Sequence, residues 1–212
     1  MRPLRLVLAR HGETASNLKM ALDSLPPGPP LTTLGAKQAD ELADALATAP
    51  VVAVYASTAL RAQQTAAPVA ARHGLDVEIV DGVQEVFVGD LEGRDDRKAL
   101  ERFFRIYSAW AGGELDAPMP GGETGQEVLD RYLGVISDVT AQHEEGTIVV
   151  VSHGAAVRLA ALALCTNVAP TLAESGVLPN TGRVVLEADP TASTGWTCLE
   201  WTGLKVTRRR SA

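Results

Sequence analysis

The chain alternates between short apolar runs and longer stretches in which apolar residues recur every three or four positions. Leu4–Ala9, Val51–Ala56 and Thr147–Val151 are continuous apolar or β-branched runs, the mark of strands buried on both faces. Asp76–Val80 reads as a further short strand, and Gly182–Glu187 with Trp196–Trp201 as a late pair joined by a turn-rich segment. Helical spacing covers the stretch from Thr32 or Thr33 to about Ala49, and that from Leu60 to about Arg72, where Gly74 ends the helix. It covers Asp96–Ala111, about Glu123 to His143, and the Ala/Leu-rich stretch after His153 to Leu164. Pro68 should kink its helix or disturb the first turn. Pro26-Pro27-Gly28-Pro29-Pro30 forms a stiff surface loop, either the rim of a pocket or a plain connector. Strands alternating with helices predict an α/β fold, a three-layer α/β/α sandwich with a mostly parallel sheet and the late pair at one edge. No repeat or boundary divides residues 1–212, which read as one domain.

Three strand ends carry the chemistry. The first run stops in Arg10-His11-Gly12, the second leads into Ser57…Arg61, and the third stops in Ser152-His153-Gly154. In an open α/β sheet such carboxyl ends converge on one crevice. Two arginines and two imidazoles there suit a doubly charged tetrahedral anion, because guanidinium forks match phosphate oxygens. A glycine after each histidine lets backbone N–H groups approach the anion, and a neutral imidazole can attack a phosphoryl group. Phosphoryl transfer also needs a proton for the leaving oxygen. Glu85, Asp90 and Glu92 in one glycine-punctuated loop are equal candidates on these grounds alone.

Composition narrows the alternatives. The 212 residues carry a formal charge of −7, which argues against nucleic-acid partners. The one basic run, Arg208–Arg210, reads as a solvated tail. Cys165 and Cys198 lack metal or redox spacing and are expected reduced and buried, as in a cytoplasmic protein. No apolar run spans a membrane, and the N-terminal run ends in polar residues rather than a cleavage site, so neither membrane nor export is expected. Nothing resembles a metal-ligand array. The other polar candidates have plain readings: Glu13 supports its loop, His73 and His143 sit at helix ends, and Glu123 lies in a first helical turn. The aromatic series of Asp96–Ala111 reads as core.

Arg10-His11-Gly12-Glu13-Thr14 with Asn17, Leu31-Thr32-Thr33-Leu34-Gly35, and Ser57…Leu60-Arg61-Ala62 resemble the histidine phosphatase superfamily, which includes the cofactor-dependent phosphoglycerate mutases. Glu85…Gly89-Asp90-Leu91-Glu92-Gly93, Pro120-Gly121-Gly122-Glu123-Thr124, Val151-Ser152-His153-Gly154 and Leu178-Pro179-Asn180-Thr181 continue the likeness in order along nearly the whole chain. The resemblance implies a phosphoglycerate mutase-like fold in which His11 is the nucleophile and becomes phosphohistidine. It implies that Arg10, Arg61 and His153 clamp the phosphoryl group with Asn17 and the Gly154 backbone, and that Glu85 protonates the leaving oxygen. No metal or other cofactor is implied; the partner is a small phosphomonoester, and relatives allow a homodimer. Arg94, Arg97, Lys98, Arg102 and Arg105 are expected on a solvent face rather than around a substrate, and the Glu85–Gly93 loop resembles the phosphatase branch. The expected activity is therefore phosphomonoester hydrolysis. A phosphoglycerate mutase is the alternative, and an inactive phosphoester-binding module a more remote one.

Overall fold

A computed structural model describes residues 2–169, 177–204 and 206; the basic run Arg208–Arg210 lies outside the described residues. The sheet is built from β1 (Leu4–Arg10), β2 (Val51–Ser57), β3 (Val77–Val80), β4 (Gly146–Ser152), β5 (Arg183–Ala188) and β6 (Trp196–Trp201), in the order β3-β2-β4-β1-β5-β6. The first four strands in that order run parallel, while β5 and β6 join antiparallel at the β1 side. This is the mostly parallel α/β sheet expected, with the late pair at one edge.

Side chains of a strand alternate between the two faces, and each face here has its own core. Leu6, Leu8, Tyr55, Ile148 and Val150 meet one set of helices; Val7, Ala9, Val54, Val149 and Val151 meet the other. α2 (Thr33–Leu46) and α3 (Leu60–His73) cover the second face, and α5 (Gly125–Thr140) and α6 (Gly154–Leu164) the first. Every residue of β4 is buried, which explains its unbroken Gly-Thr-Ile-Val-Val-Val-Ser sequence. α4 (Arg97–Ala111) adds a third cluster, in which Phe103, Tyr107 and Trp110 pack near Val128 and Leu159.

Several sequence expectations need adjustment. Thr14 caps a five-residue helix, α1 (Ala15–Lys19), where a loop was expected; its side chain accepts from the Asn17 N–H while the Asn17 side chain returns to the Thr14 backbone. α5 starts after Glu123 and stops short of His143. α3 starts at Leu60 and carries Pro68 in its interior rather than in its first turn, and Gly74 closes it as expected, in the left-handed conformation (φ +66). His73 turns its Nε2 to the Leu46 carbonyl at the end of α2, 3.2 Å away, so it joins two helices as well as ending one. Cys165 and Cys198 are free and buried, as expected.

Candidate active site

Strand register brings the three motifs together. Arg10 pairs with Ser152 across β1 and β4, and Ala56 with Val151 across β2 and β4. The carboxyl ends of three adjacent parallel strands therefore finish side by side. His11, Arg61 and His153 meet there, all buried, with the two imidazole centroids 5.2 Å apart.

Backbone contacts fix the first loop. The His11 N–H donates to the Ser152 carbonyl (3.0 Å) and the Arg10 N–H to the Gly182 carbonyl (2.9 Å). Gly12 is needed because a Cβ would lie 2.5 Å from the Gly35 carbonyl oxygen. Its N–H donates to Thr65 Oγ1, which donates to the Arg61 carbonyl, tying the loop to α3.

The ring nitrogens have distinct partners. His11 Nδ1 donates to the Gly12 carbonyl (2.7 Å). Nε2 is then the unprotonated nitrogen of the neutral ring, and Arg61 Nε donates to it at 3.2 Å. Arg61 Nη2 lies 3.3 Å from His153 Nδ1; since guanidinium can only donate, that nitrogen accepts and His153 Nε2 donates to Ser57 Oγ (2.8 Å). Burial holds both imidazoles well below their ordinary range, and Arg61 pushes each in the same direction; Arg10 also lowers His11, and His11 lowers His153. Both rings are thus neutral at pH 7.

This arrangement has a consequence for stability. As pH falls through 6.5, the unfolded chain takes up two protons that the folded site refuses, so stability declines toward acid. The expected slope is about 1.4 kcal/mol per pH unit for each histidine. Thermal unfolding followed from about pH 7 to about pH 5 should show it, and His11→Asn should flatten part of it. A midpoint constant over that range would contradict neutral imidazoles.

The other predicted residues gather around this pair. Arg10 lies against Gly154, where a Cβ would come 3.2 Å from its Cδ, and donates to the Leu178 carbonyl (2.6 Å). Asn17 Oδ1 accepts from the Thr14 N–H and from Asn180 Nδ2, leaving its own amide N–H groups as the donors it can offer. Glu85 reaches the start of α6: Oε1 accepts from Val86 and Ala156 N–H (both 3.0 Å), and Oε2 from Ala155 N–H (3.2 Å). Of the three acids left equal by sequence, Glu85 alone lines the cavity. Glu92 is bonded to the backbone and hydroxyl of Ser24, and Asp90 packs against Gly121. Glu13 accepts from the Thr32 hydroxyl (2.8 Å) and supports its loop, as expected.

Other residues hold these groups, and sequence gave no sign of the parts played by Asp23 and Arg131. Asp23 accepts from Arg61 Nη2 through its carbonyl (3.0 Å), and its carboxylate lies 3.7 Å from Nη1. Gly28, at φ +64, comes so close that a Cβ would be 2.2 Å from Nη1. The proline-rich loop therefore holds Arg61, which is more than a connector does. Arg131 donates to the carbonyls of Gly82, Gln84 and Glu85 and is itself held by both oxygens of Glu123. Glu123 thus stands before α5 as an anchor for the Glu85 loop, in place of the first-turn role expected.

A cavity of about 380 Å³ opens from His11 and the two arginines, Arg10 and Arg61. Its far wall is apolar, made by Leu22, Val88, Leu100, Phe103, Phe104 and Tyr107. Phe104 is 47% exposed, so the aromatic series divides: Trp110 belongs to the core, and Phe104 to the cavity rim. Arg158 also lines the cavity; the signal for it was a lone charge within the Ala/Leu-rich α6.

Among the described residues there is no group of three or more His, Cys, Asp or Glu side chains placed to hold a metal ion, and no helix long and apolar enough to cross a membrane.

An adenosylcobalamin/alpha-ribazole phosphatase of Escherichia coli K12 is 34% identical over 71% of this chain and 73% of its own length. The PE-PGRS family protein PE_PGRS11 of Mycobacterium tuberculosis is 32% identical over 93% of this chain, which spans only 36% of that longer protein. The crystal structure of a phosphoserine phosphatase from Entamoeba histolytica in complex with 3-phosphoglyceric acid superposes with a TM-score of 0.77 at 26% identity, covering 95% of this chain and 98% of that one. The model of the histidine phosphatase superfamily (branch 1) matches residues 6–202, and the chain belongs to that family.

Proposed function

We propose that the protein is a metal-independent phosphomonoester hydrolase that works through a phosphohistidine on His11. The observation that carries this reading is the state of His11. Its neutral ring is oriented by the Gly12 carbonyl, its Nε2 lone pair is free of a proton, and that nitrogen accepts from the buried Arg61, while the half-buried Arg10 also lines the cavity with His11. On substrate binding, Arg61 and Arg10 shift their donors to the phosphoryl oxygens and release the lone pair.

Nε2 then attacks phosphorus, the bond to the ester oxygen breaks, and Glu85 gives that oxygen a proton so that the alcohol leaves. In the second half water attacks the phosphorus, Glu85 takes its proton, and the P–N bond breaks to restore neutral His11 and free phosphate. His153, which accepts from Arg61 and donates to Ser57, supports the phosphoryl clamp through Arg61, and Asn17 and the Gly154 backbone complete it. The phosphatases among the relatives support hydrolysis. Arg94, Arg97, Lys98, Arg102 and Arg105 are exposed and none lines the cavity, so that basic run offers no grip on a second acidic end of a bisphosphorylated intermediate.

The test is phosphate release from a panel of phosphomonoesters in EDTA, with 3-phosphoglycerate and 2,3-bisphosphoglycerate as mutase controls. Release of inorganic phosphate without added metal is expected. Conversion of 3-phosphoglycerate to 2-phosphoglycerate with little release would replace the hydrolase by a mutase, and neither reaction would leave only a binding module.

A further inference from the structure

The cavity has a second charged feature, set in its apolar wall. Arg158 lies four residues into α6 from Gly154, about 6 Å along the helix axis from the phosphoryl end. It is only 7% exposed, yet its Nε has no hydrogen-bond partner, and no carboxylate among the described residues comes within 4.0 Å of it. Its guanidinium carbon stands 5.5 Å from the centre of the Tyr107 ring. A ring face offsets part of the desolvation of such a cation, but supplies no acceptor for its N–H groups. Tyr107 is itself fixed, stacked on Phe103 at 5.8 Å and donating to the Ala155 carbonyl (2.9 Å).

A buried cation that lines a ligand cavity and has no carboxylate partner among the described residues is a binding point for an anion. The apolar part of the cavity lining is made by Leu22, Val88, Leu100, Phe103 and Phe104. Polar sugar or glycerate hydroxyls would find few partners on that wall, whereas a ring or branched chain would shed water against it.

Building on the phosphomonoesterase reading above, we infer that the substrates are phosphomonoesters of apolar hydroxy acids. The apolar body lies on the Val88–Leu100–Phe104 wall and its anionic group meets Arg158. Hydrolysis then yields phosphate and the free hydroxy acid. A ring bearing a carboxylate across from the ester oxygen is a compact example.

The experiment compares 4-carboxyphenyl phosphate, 4-methylphenyl phosphate and 3-phosphoglycerate on the purified full chain. The native enzyme should prefer the carboxylate ester over the methyl ester by at least about tenfold in kcat/KM, as expected of a charge-assisted pair in a dry pocket. It should prefer that ester over 3-phosphoglycerate by a similar factor of about ten, through the apolar wall. Arg158→Gln should collapse the first preference to within about twofold, and Arg158→Lys should keep part of it. Because the preference is a ratio, differences between the two phenols as leaving groups cancel between native and variant enzyme.

A native enzyme without either preference, or a first preference untouched by Arg158→Gln, overturns the inference. Should Arg158→Gln fail to fold, calorimetry on the native chain with 4-carboxybenzylphosphonate and 4-methylbenzylphosphonate decides. Tighter binding of the carboxylate by about tenfold supports Arg158, and equal binding overturns it. These phosphonates cannot be hydrolysed. If no ester turns over, the hydrolase reading falls, and the phosphonate pair still reports on Arg158 separately.

Discussion

Replacing His11 with alanine should lower kcat/KM by at least about 10⁴-fold, because the residue that forms the covalent bond is removed while the anion site remains. Arg10 and Arg61 keep their backbone partners, Leu178 and Asp23, without the imidazole, so inorganic phosphate should still inhibit binding of a substrate analogue. The deciding measurement is rapid quench with ³²P-labelled ester. Native chain should carry a phosphoryl group that is lost in acid and survives in base, as phosphoramidates do, and the variant should carry none. His153 is the alternative acceptor, since it too is a neutral imidazole beside Arg61. Geometry separates the two: His11 lines the cavity, whereas His153 is fully buried and absent from its lining. Labelling that survives in His11→Ala would move the nucleophile to His153.

The parts of this site visible in sequence are those whose position follows from the sheet. Apolar runs announce β1, β2 and β4, and register then places Arg10, Ser57 and Ser152 together without any knowledge of side-chain contacts. The cores follow for the same reason, since alternate residues of a fully buried strand must face opposite helices. What sequence missed depends on which loops meet. Nothing in Asp23 or Gly28 announces that the loop containing them would close on Arg61, more than thirty residues away. Arg131 and Glu123 look like ordinary helix residues until the Glu85 loop is seen between them and the core. Residue chemistry alone could not rank the three acids, because Asp90 and Glu92 differ from Glu85 only in where the chain turns them; the family resemblance singled out Glu85, and Glu85 is the one of the three that lines the cavity. The short helix α1 did leave a trace, the Thr14-Ala-Ser-Asn17 capping pattern, which is easily lost against the motif it follows.

Glu85→Gln should slow steady-state turnover by roughly 10²- to 10⁴-fold, the range for losing a positioned acid and base, and the manner of slowing tests the mechanism more sharply than its size. Glu85 has two duties in the proposed cycle, and they can be separated by the leaving group. An alkyl phosphate needs a proton on its departing oxygen, so its first step should fail and little phosphoenzyme should form. A nitrophenyl phosphate leaves as a stable anion, so its first step should survive while the second, which needs Glu85 to take a proton from water, stalls. The variant should then release one nitrophenolate per active site in a burst, followed by a slow phase, and hold its phosphoryl group on His11. The substitution is nearly isosteric, but its amide must turn one donor toward the backbone N–H of Ala155 or Ala156. A loss of about 1 kcal/mol in stability is expected from that mismatch, and thermal unfolding measures it apart from the kinetics. If both substrates slow equally and no burst appears, Glu85 orients the start of α6 without moving a proton. In that event the proton donor is neither Asp90 nor Glu92, which do not line the cavity, and Asp23 or water is left to supply it.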